Sequence, residues 1–380
     1  MRLLRRASVL AATTLLGVTG VGIAPIAHAA SGVEGVPSLH HVFIVVLENE
    51  NFNATWGSGS PAVYLNSLKQ FGTLATNYWG TSHVSADNYI AMTSGQTPTP
   101  LFNADCLNWE TCFATEQVLG GTSIADQVDA SGRSWKAYMD GAATPCQHPA
   151  ATAVTDPYQT GYATRHDPFV YYPPVVDHGA PATTLLSTAD SAYCKTHVVP
   201  YRQSALAADL SSTSAPNYVF ITPDTCHDGH DNPCAVPGDG PLGGLRGADA
   251  WLQANIPTIL TSAAFKDRGV LLITSDEGAV DATTLSGCCA TGIPPVGLDS
   301  GGKVGLLAIS DSTALETALG GGSTIATPIV NVGQTTGTAY DHYSMLRTVE
   351  DALGLNGQGY LNNAGSPLEH SMADLFNPAA

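Results

Sequence analysis

Basic residues are scarce in this chain of 380 residues. Fourteen lysines and arginines stand against 32 aspartates and glutamates, which gives a formal net charge of -18 at pH 7. Such a surface repels phosphate backbones and disfavours general nucleic-acid binding, although a locally positive metal crevice could still take up one phosphate group. Charged residues make up only 12% of the chain and hydrophobic residues 44%, a balance typical of a folded globular protein.

A second long hydrophobic run is also missing. Beyond the amino-terminal segment, no apolar stretch approaches the roughly 20 residues that are needed to span a bilayer. Residues 1–29 are typical of an export signal, with a basic start, an apolar stretch over 9–26 and an A-x-A cleavage site at Ala27 and Ala29. An uncleaved anchor is the weaker alternative, and the route of export stays open. We expect a secreted protein without stable membrane insertion, in which residues 30–380 form a single domain.

A zinc site built from cysteines is not indicated, because no C-x2-C spacing occurs. The eight cysteines are an even number, as expected for an exported chain that oxidises them in pairs. Their spacing suggests three bridges: Cys106–Cys112, Cys146–Cys194 and Cys226–Cys234. The adjacent Cys288 and Cys289 fit either a vicinal bridge or two separate partners.

Strand-like and helix-like segments alternate along the chain, and no internal repeat is present. The apolar patterns predict strands at 42–47, 134–139, 217–222, 270–275 and 302–309, and helices at 62–71, 88–94, 124–130, 248–261 and 343–353. This alternation predicts an α/β fold with three α/β/α layers. Residues 144–193 have no clear period and are rich in proline, tyrosine and histidine, so we expect a cap-like insertion there and not a separate domain.

Two of the predicted strands run directly into polar pairs. The first is followed by Glu48 and Asn49, and the fourth by Asp276 and Glu277. Continuous apolar runs are typical of buried parallel strands, and ligands of open α/β sheets collect beyond the carboxyl ends of such strands. Oxygen atoms are the ligands that hard divalent cations prefer. The sequence therefore predicts one divalent metal ion, of unknown identity, between these two pairs.

Ser85 lies just before a predicted short helix. A hydroxyl group at a helix start is close to free backbone N–H groups and to the positive end of the dipole, which favours both an alkoxide and a bound phosphate. Ser85 is therefore a candidate nucleophile that a nearby cation would activate. The alternative is a serine that only caps the helix.

Three other segments carry candidate chemistry. The loop between Cys226 and Cys234 holds two histidines and two aspartates, which could bind a metal or act on a phosphate and its leaving oxygen, or could form a solvated turn. His342, at the start of the last predicted helix, has the same options, with an N-cap at Asp341 as the alternative. Asp249 could cap its own helix or orient a histidine.

Taken together, the chain resembles the bacterial phosphoesterase family of secreted acid phosphatases and non-specific phospholipases C. The resemblance runs from about His41 to Leu355 and rests on six motifs in the family's order: L-E-N, S-x-x-N-Y, P-D-x-C-H-D-x-H-D, G-x-D-x-W-L, S-D-E-G and Y-D-H-Y-S-x-L-R-T-x-E-D. It implies an alkaline-phosphatase-like core and a metal-assisted phosphoryl transfer.

The resemblance also implies roles for single residues. Those at the metal are Glu48, Asn49, Asp276, Glu277 and the Ser85 hydroxyl group. Those around the phosphate are Ser85 as nucleophile, Asn88 as the amide that holds a phosphate oxygen, His230 and His342, with His227 as a third histidine and Asp231 as the partner of one of them.

The sequence differs from the family's motif beside the candidate nucleophile. Relatives often have H-P-S-x-P-N, where this chain has Val84 and Asp87. An extra carboxylate next to the phosphate would disfavour a dianionic substrate or raise the pKa of a neighbour. In the first motif, Asn51 replaces a hydroxyl residue.

Three functions compete. The leading one is a secreted metal-dependent phosphomonoesterase of the acid phosphatase type, in which Ser85 forms a phosphoserine and His230 protonates the departing alcohol; its substrate would be a small phosphate ester or a lipid headgroup. The second is a phosphodiesterase of the phospholipase C type, which would need an apolar groove for acyl chains. The third is a non-catalytic, metal-stabilised secreted binding protein, which the residues at 84 and 87 favour.

Overall fold

The computed structural model describes residues 33–119, 121–150, 159–178, 190–238, 240–279, 301–325 and 327–380. The predicted export signal and the Cys288-Cys289 pair lie outside these ranges. In the described part of the chain, an eight-stranded sheet is flanked by helices on both faces, and a two-stranded parallel sheet joins two further segments.

The strands, in chain order, are β1 His41–Leu47, β2 Gly72–Ala75, β3 Tyr78–Trp79, β4 Trp135–Met139, β5 Val198–Pro200, β6 Tyr218–Thr222, β7 Gly269–Ser275, β8 Leu306–Ser310, β9 Gln334–Thr336 and β10 Tyr340–Asp341. The large sheet has the order β5-β4-β6-β1-β7-β8-β2-β9, and β3 pairs with β10. Among the strands described, β8 alone runs antiparallel to its neighbours.

The α-helices are α1 Phe52–Trp56, α2 Val63–Leu68, α3 Ser85–Ser94, α4 Trp109–Leu119, α5 Ile124–Ala130, α6 Pro173–Val176, α7 Ala192–His197, α8 Gln203–Ser211, α9 Gly244–Leu260, α10 Ala263–Lys266, α11 Thr313–Ala318 and α12 His342–Ala352. None of these helices is both long enough and apolar enough to cross a bilayer.

The central strands are buried on both faces. Side chains alternate along a strand, so Val42, Ile44 and Val46 of β1 lie in one hydrophobic core, with α3, α5 and α12. Phe43 and Val45 lie in a second core on the opposite face, with α2, α8 and α9. Two cores separated by one sheet make the α/β/α sandwich, which confirms the predicted fold class.

Strands β1 and β7 are parallel neighbours in the middle of this sheet. Their register pairs Leu47 with Ser275, so the residues that follow them leave the sheet side by side. The backbone N–H of Asp276 donates to the carbonyl of Leu47 at 3.0 Å. The predicted meeting of the two strand ends is thereby confirmed.

The described part of the predicted insertion packs into the domain. Two 3-10 turns, Thr164–His166 and Pro168–Tyr171, are followed by α6. Phe169 and Tyr172 are fully buried in the core that contains α3. This irregular segment is therefore part of the wall behind the site, and it places His166 beside the tip of β1.

All three predicted disulfides are present: Cys106–Cys112, Cys146–Cys194 and Cys226–Cys234. The second joins the two ends of the insertion, and the third closes the loop that carries His227 and His230. The bridges thus restrain irregular segments around the end of the sheet where the candidate site lies.

Asp249 does not cap its own helix, which begins five residues earlier. Its carboxylate instead accepts the backbone N–H groups of Tyr64 and Leu65 at 3.0 and 2.8 Å, and so caps the first turn of α2. The interpretation that Asp249 caps its own helix is therefore wrong, because the helix that it caps begins far away in the chain, with Leu65 184 residues from Asp249.

Candidate active site

The ends of β1 and β7 bring the two predicted polar pairs into contact. Glu48 and Asp276 are completely buried. The side-chain amide of Asn49 donates to Glu277 Oε1 at 3.1 Å, and its backbone N–H lies 3.5 Å from Asp276 Oδ1. Asn49 has a φ of 43°, a left-handed conformation that turns the chain immediately after the strand. Four polar side chains from two distant segments thus form one cluster.

Ser85 is the first residue of α3, and its hydroxyl group faces this cluster. Ser85 Oγ donates to Glu48 Oε2 at 3.0 Å, and the residue is only 3% exposed. The N-cap position is occupied by Val84, in an extended conformation, so the alternative that Ser85 is the capping residue is wrong. The hydroxyl group is therefore directed at an acid and lies next to the first N–H groups of a ten-residue helix.

Two aromatic rings fix the other oxygen of Glu48. Tyr89, one turn further along α3, donates from its hydroxyl group to Glu48 Oε1 at 2.6 Å. The His166 ring is stacked on Tyr89, with ring centroids 5.3 Å apart. Its Nε2 lies 3.4 Å from Glu48 Oε1, and its Nδ1 lies 3.4 Å from Asp228 Oδ2. Sequence reasoning assigned no role to His166, because no local motif marks it and only tertiary packing brings it here.

Burial makes these acids hold protons more tightly. Burial, and then the charges of Asp276 and Asp228, raise the pKa of Glu48 well above its usual value. Burial likewise raises the pKa of Asp228 and of Glu277, and that of Asp276 to about 7. Burial lowers the pKa of His166 well below its usual value, so the ring offers no compensating charge. The cluster is therefore crowded with buried acid groups, and Arg165 is the cation that acts on Glu48 and Asp228 among the described residues.

A divalent cation fits this donor set. Asn49 Oδ1, Asp228 Oδ2 and Asp276 Oδ2 are buried, and no hydrogen-bond donor within the described residues satisfies them. Unsatisfied hard oxygens among several carboxylates are the environment that Mg²⁺ or Ca²⁺ prefers. The ligand atoms of Glu48, His166 and Asp228 also lie within 4.8 Å of one another. This second grouping shares Glu48 with the predicted set and extends it on the other side.

Asn88 is bound within the loop that precedes α3. Its Oδ1 accepts from the backbone of Thr81 and Ser82, at 2.8 and 3.1 Å, and from the Thr81 hydroxyl group at 3.0 Å. Its amide nitrogen donates to the carbonyls of Ser82 and Val84. In this structure both ends of the amide shape the loop that presents Ser85.

His342 lies beneath the cluster and is fully buried. One ring nitrogen contacts the backbone carbonyl of Asp276 at 2.5 Å, and the other contacts the hydroxyl group of Tyr78 at 2.9 Å. A carbonyl can only accept, so Nε2 carries the proton and Nδ1 accepts from tyrosine. Burial lowers the pKa of His342 to about 4. The neutral ring thus supports the backbone of Asp276 and has both nitrogens engaged.

His230 lies at the open side of the cluster. Its Nδ1 is 2.8 Å from Asp231 Oδ1, and its Nε2 is 3.3 Å from Arg165 Nη2. A guanidinium group can only donate, so Nε2 is the acceptor and Nδ1 carries the proton that Asp231 accepts. The His230 and His166 rings are 6.0 Å apart.

His227 belongs to a separate group with Asp140 and Asp224. Its Nδ1 lies 3.5 Å from Asp140 and 3.0 Å from Asp224, and hydrogen bonds to these two carboxylates raise its pKa to about 10. These three residues have the spacing of metal ligands, and the contacts of the imidazole with both carboxylates are those of an ion pair. We therefore interpret this group as a salt bridge.

Two more buried residues flank the nucleophile. His83 Nδ1 lies 2.7 Å from Glu277 Oε2, a contact that sequence reasoning missed although His83 stands two residues before Ser85. Asp87, the extra carboxylate, accepts from the backbone of Thr99 at 3.0 Å, and burial raises its pKa to about 7. This acid is thus tied to a neighbouring loop.

Comparison with known proteins agrees with this fold. Residues 58–356 match the model of the phosphoesterase family. The chain therefore belongs to the phosphoesterase family, which confirms the resemblance. In fold it is similar to an alkaline phosphatase superfamily protein from Vibrio parahaemolyticus, with a TM-score of 0.51 and 14% identity, over 85% of this chain and 68% of the other.

Relatives in sequence are phosphatases. The chain is 23% identical to a probable acid phosphatase of Kluyveromyces lactis, over 66% of this chain and 50% of that protein. It is 27% identical to a phosphate-repressible acid phosphatase of Penicillium chrysogenum, over 56% and 43%. It thus spans about half the length of these acid phosphatases. With a phosphatidylinositol-3-phosphatase of Mycobacterium tuberculosis it shares 25% identity over 94% of this chain and 89% of the other.

Proposed function

We propose that this protein is an exported, metal-dependent phosphomonoesterase of the acid phosphatase type, with Ser85 as its nucleophile. The contact that carries the proposal is the 3.0 Å hydrogen bond from Ser85 Oγ to Glu48 Oε2, inside a cluster of unsatisfied acid oxygens. The names of the acid phosphatase relatives support the reaction class. The three disulfides and the signal-like residues 1–29 support export.

The metal would be held by Glu48, Asn49, Asp276, Glu277 and the Ser85 hydroxyl group. A divalent cation at this place lowers the pKa of a bound hydroxyl group and neutralises phosphate charge. All of the other steps fall to the chain's own residues.

Ser85 performs the first step. Its Oγ forms a bond to phosphorus while the bond from phosphorus to the alcohol oxygen breaks, and Glu48 Oε2 accepts the serine proton. The positive end of the α3 dipole favours the charge of the phosphate, and Asn88 keeps the preceding loop in the shape that presents Ser85. Tyr89 and His166 hold the Glu48 carboxylate in place.

His230 is the proposed acid for the leaving group. It lies at the open side of the cluster, and its Nδ1–H is held by Asp231. The departing alkoxide takes its proton from Nε2, which must first exchange its contact with Arg165 for a proton. Water then attacks the phosphoserine and gives a proton to His230 Nε2, while the bond from phosphorus to Ser85 Oγ breaks, Oγ recovers its proton from Glu48 and inorganic phosphate is released.

The test is substitution of Ser85 with alanine. We expect S85A to lose at least about a thousandfold in kcat on p-nitrophenyl phosphate, because removal of a nucleophile leaves only binding and electrostatic effects. Ser94→Ala is the matched control, since Ser94 is also buried and lies at the other end of α3. Undiminished turnover by S85A would refute the assignment.

Three further measurements separate the alternative functions. Release of inorganic phosphate from monoesters distinguishes the phosphomonoesterase from a phospholipase C type enzyme, which would release diacylglycerol and a phosphorylated headgroup. Mass spectrometry of the acid-quenched wild-type enzyme should find one phosphoryl group on the Ser85 peptide. Metal binding by isothermal titration without any turnover or phosphoserine would instead favour a binding protein.

A further inference from the structure

A cavity of about 480 Å³ opens next to His230. This volume is within the roughly 300–1,000 Å³ range of small-molecule sites. Its described lining includes Arg165, Thr225 and Asp231 on the polar side, and Ala163, Ala235 and Val236 on the apolar side. Nothing in the proposed reaction at phosphorus uses this space.

Two residues that line the cavity also contact His230, the proposed leaving-group acid. Arg165 contacts His230 Nε2, and Asp231 contacts His230 Nδ1, so the histidine stands between the cavity and the acid cluster. On the cluster side, the His230 ring is 6.0 Å from the ring of His166, which contacts Glu48. An ester whose leaving oxygen reaches His230 would therefore extend its alcohol part into the cavity.

The polar wall offers both donors and acceptors. Asp231 Oδ1 accepts a hydrogen bond from His230, and Asp231 Oδ2 accepts one from the Thr225 hydroxyl group at 2.8 Å. Each of these oxygens has a second lone pair that can accept from a substrate hydroxyl group. Arg165 supplies N–H donors. Hydroxyl groups both donate and accept, so they match such a wall, whereas a second phosphate would meet the Asp231 carboxylate.

Other residues that line the cavity are apolar. Ala163, Ala235, Val236 and Pro237 present small apolar surfaces to the cavity. A ring that carries hydroxyl groups on its edge and C–H groups on its face satisfies both walls, whereas an acyl chain would leave the charged wall without partners.

We propose that this cavity is the leaving-group subsite and that it binds a polyhydroxylated ring alcohol, as in a hexose or inositol monophosphate. The inference rests on the proposed function, in which His230 protonates the leaving oxygen. It adds to that function the class of the preferred substrate and the residues that select it.

The test compares esters with small and large alcohol parts. Ala235 is exposed at the cavity, so Ala235→Trp fills the space without touching the acid cluster. We expect A235W to lower kcat/KM for glucose 6-phosphate and myo-inositol 1-phosphate by about tenfold or more, a typical cost of lost pocket contacts. Turnover of methyl phosphate and competitive inhibition by inorganic phosphate should stay within about twofold of wild type, since neither occupies the cavity.

Two more variants make the result specific. Ala250→Trp places the same bulky ring on the exposed face of α9 and should leave all four measurements unchanged. Thr225→Val removes a cavity hydroxyl group with little change of shape and should raise KM for the ring esters more than for methyl phosphate. Vesicles of phosphatidylcholine that carry phosphatidylinositol 3-phosphate distinguish a lipid-linked ring from a free one. If the wild-type enzyme releases phosphate from these vesicles and A235W does not, the subsite binds the lipid headgroup.

The inference is wrong if A235W lowers the turnover of methyl phosphate and of the ring esters by the same factor, or changes neither. In both cases inactivity of S85A with methyl phosphate would show that the proposed reaction itself stands. Activity of S85A would instead remove the proposed function together with the subsite.

Discussion

Glu350 of α12 is a buried acid far from the strand ends, and its protonation can be tested directly. The residue is completely buried, and its Oε1 accepts the backbone N–H of Leu361 at 2.8 Å. Its Oε2 receives no hydrogen bond from the described residues, and neither does Oε1 of Gln127, whose side chain lies against it. Burial disfavours the charged form of this carboxylate more than its hydrogen bonds favour it. We therefore expect Glu350 to be neutral in the folded protein.

The size of the effect follows from the pKa. Burial raises the pKa of Glu350 from 4.5 to about 8. Because the folded value is the higher one, the unfolded chain loses this proton first, so the contribution to stability is complete below pH 4.5 and is lost as the pH rises towards 8. At about 1.4 kcal/mol per pKa unit, the loss between pH 5 and pH 8 is about 3 kcal/mol.

Glu350→Gln removes this titration and keeps the shape. Its amide oxygen can accept the Leu361 N–H as the Glu350 carboxylate does. Urea unfolding of both proteins from pH 5 to pH 8 should show the variant gaining about 3 kcal/mol in free energy of unfolding relative to wild type. Glu110→Gln, on a half-exposed residue of α4, controls for loss of a formal charge. A difference between E350Q and wild type that is constant with pH would mean that Glu350 is ionised in the fold.

Two further changes test single contacts. Asp249→Ala removes the side-chain cap of α2 and should lower the free energy of unfolding, measured in urea, by about 1 kcal/mol. Asp249→Asn keeps one acceptor oxygen and should recover part of this loss. Equal stability of D249A and wild type would contradict the capping role. Tyr89→Phe removes the hydroxyl group that holds Glu48 Oε1 and should weaken the affinity for a divalent cation by about tenfold or more in isothermal titration. Tyr172→Phe, which breaks a buried hydrogen bond to Thr93, should leave that affinity unchanged, and an equal effect of both variants would refute the orienting role of Tyr89.

The centre of the fold could be predicted because its strands carry their own signal. β1 and β7 are continuous apolar runs, buried on both faces, and such runs pair in parallel in the middle of a sheet. Once they are neighbours, the place of Glu48 and Asp276 follows without any further information. The three disulfides could be predicted for a similar reason, since each cysteine had a partner at a plausible spacing.

Contacts that depend on irregular segments could not be predicted. His166 belongs to a 3-10 turn in a segment that has no hydrophobic periodicity. Its position is fixed by stacking on Tyr89, which lies 77 residues earlier in the chain. The burial of His342 depends on Tyr78 and on the backbone of Asp276, which lie 264 and 66 residues away in the chain. A histidine motif indicates chemistry, but only packing decides which ring nitrogens remain available.

The same burial that prepares the acid cluster also makes it costly to fold. Glu48, Asp228, Asp276 and Glu277 lie at the ends of rigid buried strands or in a disulfide-closed loop, and burial makes each of them reluctant to ionise. A cation that binds only the folded state offsets that cost by mass action, so metal affinity and folding stability are linked at this site. The hydrogen bonds from Ser85 and Tyr89 hold Glu48 in place before any cation arrives. Preorganised acids on a rigid sheet are therefore the feature from which both the proposed metal binding and the proposed activation of Ser85 follow.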